Sequence, residues 1–236
     1  MSITAEADVL LERKRALEMG AAPQLKQRLA ELRAWQAARL ARTYSDLHAE
    51  TRFRAAIEFF LNDLYGPHDF ARRDEELARA WRRLGRVLPR SAVQTVTQAV
   101  ELDLLSTALD HALAGYLCPG ALTDATYAQA YRQTGQEDSR RRQIELIVGI
   151  GKDLNSLANR SWARVALKAA HVPAHAAGLG TLQDFLERGY ESFRRIGDAR
   201  YLLETIRERE TLTMRALFDG APDPFQWAGR SSGARR

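Results

Sequence analysis

Apolar residues recur at three- and four-residue intervals along almost the whole chain, with charged residues between them, so nearly every segment reads as an amphipathic helix. From Ala5 to Met19 the apolar positions are 9, 10, 16, 17 and 19, and Gly20 offers a stop. Pro23 suits the first turn of a second helix carrying Leu25, Leu29, Leu32, Trp35, Ala38 and Leu40. The polar stretch 43–51 predicts a break or kink. A phenylalanine-rich helix follows, with its apolar stripe at 53, 57, 60, 61 and 64. Gly66 can take the left-handed conformation that closes a helix, and Pro67 cannot continue one. Beyond that corner, Asp69 is the expected N-cap of a helix bearing Leu77, Trp81 and Leu84.

The second half repeats the pattern. Ser91-Ala92-Val93-Gln94 has the form of a capping box and opens a long helix that Pro119-Gly120 stops. Thr123 caps a short helix with Tyr127 and Tyr131, which ends at Gly135. Asp138 or Ser139 starts the longest clean pattern, from Ile144 through Ala166, with Pro173 and the glycines at 178 and 180 punctuating its end. One helix then runs from Thr181 to Ile196, and the last from Asp198 to Phe218. No strand pair, Asn-Gly hairpin or internal repeat is visible. The expectation is an all-α fold: one multi-helix bundle of roughly seven to nine helices, with no sheet. It spans residues 1–219, and 220–236 form a disordered tail rich in Gly, Pro, Ser and Arg.

Composition narrows the class. The chain has 236 residues, 45% of them apolar, enough for one sizeable core. No run approaches the ~20 apolar residues that span a bilayer, and the N-terminus lacks a signal-peptide layout. A single cysteine, Cys118, excludes an internal disulfide. These features predict a cytoplasmic protein with no membrane partner. The net charge is +5, carried mainly by arginines clustered at 72–73, 82–83, 140–142 and 194–195. No nucleic-acid-binding signature accompanies them, so solvated helix faces are the expected role and nucleic acid is not an expected partner.

The block Phe59-Phe60-Leu61-Asn62-Asp63-Leu64-Tyr65-Gly66, with Asp69-Phe70 and Arg73-Asp74 behind it, resembles an uncharacterised group of bacterial all-helical proteins. Gly178-Leu179, Leu182-Gln183, Phe185-Leu186-Glu187, Gly189-Tyr190 and Arg209-Glu210 are similar too. The resemblance implies a helical protein and supplies no activity, ligand or catalytic residue.

The candidate site is the corner after the phenylalanine-rich helix, where Tyr65, His68, Asp69, Arg73 and Asp74 gather. An Asp63 or Asp74 carboxylate forked with Arg72 or Arg73 would fix the angle between two helices. No reaction is specified there. The Glu-x-x-His pairs of carboxylate-bridged metal bundles are absent before all five histidines. Acidic groups at Glu101, Asp103, Asp110, Glu145 and Asp153 fall on two long helices and suit bundle faces. His48, the pair His68-Asp69 and Asp103 or Asp110 follow the order of helical metal phosphohydrolases, but Gly66-Pro67 interrupts the motif.

His171 and His175 stand four apart, the spacing at which two imidazoles share a helix face and ligate a metal, or one of them haem iron. Pro173 between them predicts a helix boundary, so interhelical histidines are the plainer expectation. Gly149-Ile150-Gly151-Lys152 lies in an apolar helical pattern and predicts close helix packing rather than a phosphate loop. Trp35, Trp81, Trp162, Tyr116, Tyr127 and Tyr131 are expected in the core or lining a groove. The leading expectation is a non-enzymatic scaffold that binds a partner protein, a second copy or an apolar ligand between helices. The alternative is a metal- or haem-dependent protein of phosphohydrolase or sensor type. The sequence requires no cofactor.

Overall fold

The computed structural model describes residues 3–20, 22–64, 71–84, 90–117 and 120–226. Among these the chain is all helical, with no strand: α1 (Ile3–Met19), α2 (Pro23–Thr43), α3 (Ser45–Ala49), α4 (Thr51–Phe59), a π-helical turn (Phe60–Leu64), α5 (Ala71–Leu84), α6 (Arg90–Tyr116), α7 (Asp124–Thr134), α8 (Glu137–Ala158), α9 (Ser161–Ala176), α10 (Gly180–Ile196) and α11 (Arg200–Asp219). This exceeds the expected seven to nine α-helices. The polar stretch 43–51 folds as a short helix of its own, α3, and the expected long helix from 138 divides into α8 and α9.

Both differences have local causes. At the end of α2, the hydroxyls of Thr43 and Ser45 donate to the carbonyls of Arg39 and Arg42, each at 3.0 Å, and Glu50 is extended. Side-chain bonds of this kind compete with the helical ladder. At the end of α8, Asn159 Nδ2 donates to Asn155 O and Gly197 O, both at 2.9 Å. That tie holds the α8 terminus to the α10–α11 turn. The α7 boundaries agree with expectation: Thr123 and Thr126 form a reciprocal capping box, and Gly135 closes the helix at φ 59°. The Ser91 capping box does not form, because α6 already begins at Arg90.

Two apolar clusters make up most of the interior. One joins Leu40, Tyr44, Leu47, Phe53, Ile57, Val148, Leu203 and Ile206, from α2, α3, α4, α8 and α11. The other joins Leu29, Leu32, Leu113, Tyr127, Tyr131, Met214 and Leu217, from α2, α6, α7 and α11. Helices α2 and α11 therefore serve both. The second cluster extends past α11: Phe225 packs against Trp35 and Tyr127, with ring centroids 5.6 and 5.9 Å apart. Residues 220–226 of the expected tail thus include a packed aromatic, and 227–236 lie outside the described residues.

The two glycines of α8 differ. Gly149 faces open space, whereas a Cβ at Gly151 would overlap Leu203 Cδ2 on α11. Gly151 alone of the pair admits the close approach. Gly151→Val is expected to destabilise by about 1–3 kcal/mol through overpacking, and Gly149→Ala to stabilise by about 0.5–1 kcal/mol through helix propensity. Urea unfolding of the two variants checks the difference.

Candidate functional site

Of the predicted corner, Tyr65, His68 and Asp69 lie outside the described residues, as does the side chain of Asp74, which sits on α5. Arg73 is placed: its Nη1 donates to the Asp63 carbonyl at 3.1 Å, and its guanidinium lies 4.9 Å from the Phe185 ring centroid. The Asp63 carboxylate is not forked with Arg72 or Arg73. Arg188 of α10 takes it, Nη2 and Nε donating at 2.6 and 2.9 Å. Arg72 pairs along α5 with Glu76, whose carboxylate is fully buried and accepts the Leu182 N–H at 2.8 Å. The placed groups brace the π turn and α5 against α10.

A largely buried polar layer ties α11 to α2 and the α2–α3 junction. Arg39 Nη1 donates to both oxygens of Glu210, at 2.7 and 2.9 Å, and Tyr44 OH donates to the same carboxylate at 2.9 Å. Next to it, Arg209 forks onto Asp46 at 2.7 and 2.6 Å and also donates to Thr43 O. Burial pushes the Tyr44 phenol up, and the Glu210 charge pushes it further. The Arg209 fork holds Asp46 below the ordinary carboxylate range. This layer accounts for the Arg209-Glu210 pair as a tie between α11 and the α2–α3 junction.

Four of the five acidic groups named on the long helices are engaged across helices. Glu101 accepts two bonds from Arg142, Asp103 pairs with Lys14, Asp110 accepts from Gln36, and Asp153 accepts from Thr95. Glu101 and Arg142 flank a depression of about 450 Å³ floored by Leu104, Leu105 and Ala108. It is wide open to solvent.

The most concentrated chemistry lies on the α9–α10 hairpin. Helix α9 continues through Pro173, so His171 and His175 share a face after all, with ring centroids 4.4 Å apart. The expected boundary at Pro173 is corrected. Opposite them on α10 stand Asp184 and Glu187, also one turn apart. His171 Nδ1 lies 2.9 Å from Glu187 Oε1, and His175 Nε2 lies 3.3 Å from Asp184 Oδ1. The remaining His175 nitrogen, Nδ1, contacts the His171 carbonyl at 2.9 Å. Gln183 is buried and bridges Leu167 O and Glu187 Oε1, both at 2.8 Å. Bonds from Gln183 above all, and from His171, hold Glu187 below the usual glutamate range. The turn fits the pair closely, since a Cβ at Gly180 would fall 2.8 Å from His175 Cδ2.

The outer side of α9 is apolar and uncovered. Trp162, Val165 and Val172 are 54, 68 and 73% exposed, where Trp162 is expected in the core or lining a groove. Tyr116 is likewise exposed, whereas Trp81, Tyr127 and Tyr131 are buried as expected. Sequence reasoning found the two histidines and missed Asp184, Glu187 and Gln183. The available signal was the three-residue step from Asp184 to Glu187, which, like the four-residue step between the histidines, sets two side chains on one face of a helix.

Fold and site together define an all-helical protein with a polar interior layer and an exposed histidine–carboxylate hairpin. The chain belongs to the family described as Domain of unknown function (DUF8198), whose model matches residues 16–224. No curated protein and no solved structure matches the chain.

Proposed function

We propose that the protein acts by binding rather than catalysis, as a cytoplasmic helical scaffold that docks an amphipathic helix of a partner protein on the outer face of α9. One observation carries this reading. Trp162, Val165 and Val172 recur at helical spacing on the solvent side of α9, while Ala163 and Leu167 face the bundle. Single exposed apolar residues are ordinary, but a tryptophan and two valines in line form a patch, and patches mark contact surfaces. Arg164 and Lys168 lie beside the row, exposed and without an ion-pair partner among the described residues. They favour an acidic flank on the partner helix. The face lies beside a well-braced hairpin, so little ordering would accompany docking.

The test places a photo-crosslinking residue at Val165 in the full chain in cells and identifies the adduct by mass. A protein adduct that disappears in Trp162→Glu or Val172→Glu supports the reading. An adduct with a second copy of this chain redirects it to self-association. Absence of any adduct that depends on the patch overturns it. Both glutamate variants are expected to keep wild-type stability within about 0.5 kcal/mol, because the replaced side chains face solvent.

A further inference from the structure

Two imidazoles and a carboxylate from different helices converge on the α9–α10 hairpin. One ligand atom each of His171, His175 and Asp184 lies within 4.8 Å of the others, and this is the one such cluster among the described residues. Ligand bonds to a first-row metal are about 2.0–2.2 Å, so small side-chain rotations close the set on one ion.

The hydrogen bonds around the cluster prepare it. A ring nitrogen hydrogen-bonded to a carboxylate or carbonyl oxygen is the donor, since those oxygens only accept, and a neutral ring has one such proton to give. His171 Nδ1 faces Glu187 and His175 Nδ1 faces the His171 carbonyl. Each neutral ring therefore presents Nε2 as a lone pair. This is the arrangement in which outer carboxylates and carbonyls orient metal-bound histidines. Gln183 fixes Glu187 in turn.

The second observation is independent of that pattern. His175 Nε2 stands 3.3 Å from Asp184 Oδ1, so a neutral ring would set two lone pairs against each other. A cation between them removes the repulsion, either a proton or a metal ion. Gly180 keeps the ring there, because a larger residue would displace it.

We infer that His171, His175 and Asp184 form a binding site for a divalent transition-metal ion, with Glu187 and Gln183 as positioning residues. Imidazole with one carboxylate suits Zn²⁺, Co²⁺, Ni²⁺ or Cu²⁺ better than Mg²⁺ or Ca²⁺. The side chains are 47% (His171), 41% (His175) and 46% (Asp184) exposed, so water completes the coordination. Such exposure suits a hydrated ion that clips α9 to α10, and not haem, which needs apolar enclosure. The site stands whether or not a partner docks on the outer face of α9.

The test titrates Zn²⁺ calorimetrically, and Co²⁺ by its visible absorption, into the untagged full chain stripped with chelator. One equivalent is expected to bind, with a cobalt spectrum of mixed nitrogen and oxygen ligation. Glu187→Gln should weaken Zn²⁺ binding about 10- to 100-fold, and His175→Asn or Asp184→Asn at least as much. Gly180→Ala should weaken it while leaving all ligands present. His48, which sits 3.3 Å from Glu58 and belongs to no such cluster among the described residues, supplies the control: His48→Asn should leave the titration unchanged. Circular dichroism verifies that each variant is folded. No saturable Zn²⁺ or Co²⁺ binding by the folded chain overturns the site. Equal weakening by His48→Asn, or none by Asp184→Asn, overturns it as adventitious histidine binding.

Discussion

Glu210→Ala is expected to destabilise the protein by about 3–5 kcal/mol, because it strands a buried guanidinium. The Glu210 carboxylate is the acceptor for two bonds from Arg39 and one from Tyr44, and the side chains of the ion pair are 11 and 15% exposed. Burial alone would weaken the hold of Arg39 on its proton, and the adjacent Glu210 more than reverses that. Arg39 Nε already lacks a hydrogen-bond partner in the interior, so no alternative acceptor stands ready. In a chain of this size the loss corresponds to a melting shift on the order of 10 °C.

The paired replacement separates the two contributions to that figure. Arg39→Met with Glu210→Leu removes both charges and fills the layer with apolar volume. Its cost is expected to fall well below the sum of Arg39→Met and Glu210→Leu measured singly. Tyr44→Phe should cost about 1.5–3 kcal/mol, since it removes a donor to a charged carboxylate. A cycle in which the single and paired costs simply add would show that the layer is not a coupled network.

How far the sequence foretold this arrangement depended on whether the cause was local. The α7 helix was legible because Thr123, Thr126 and Gly135 act within one turn of it. The division of α8 from α9 was not, because Asn159 acts by reaching Gly197, far along the chain. Arg39 occupies one position of an amphipathic pattern, where an arginine reads as solvated; only the fold places Glu210 beside it. Trp162 fits a helical apolar stripe, but periodicity does not say which side of a helix has a neighbour. Helix α9 is apolar on two sides and covered on one.

The candidate sites divide in the same way. The shared face of His171 and His175 follows from their spacing, whereas their carboxylate partners belong to another helix and no spacing rule reaches them. Pro173 was read as an end because proline lacks the amide proton of a helical interior. It falls in the last turn of α9, where the helix carries it. The Gly66 corner itself lies outside the described residues; Asp63, just before it, braces α10 through Arg188 rather than pairing with Arg72 or Arg73.

The same α5–α10 contact yields the second large effect. Glu76 is fully buried, and its Oε2 accepts the Leu182 N–H in the first turn of α10, where backbone donors have no helical acceptor. Arg72 donates to Oε1 at 3.2 Å, so a carboxylate from one helix caps the start of another. Burial raises the Glu76 pKa, but bonds from Leu182, Thr181 and Arg72 outweigh it and leave the group below the ordinary glutamate value. A depressed folded-state pKa means that the stabilisation is complete above the unfolded value of about 4.3 and is lost as pH falls through the folded one. Glu76→Ala is expected to cost about 2–4 kcal/mol at neutral pH, combining a charge-assisted bond with an unsatisfied buried donor. Glu76→Gln keeps the shape and removes the charge, so its deficit should be smaller at pH 7 and should shrink as the wild type is acidified below about pH 4. Unfolding curves of both variants between pH 3 and 7 decide the matter. A Glu76→Gln deficit that stays constant across that range would mean that Glu76 holds α10 by packing alone, not by its charge.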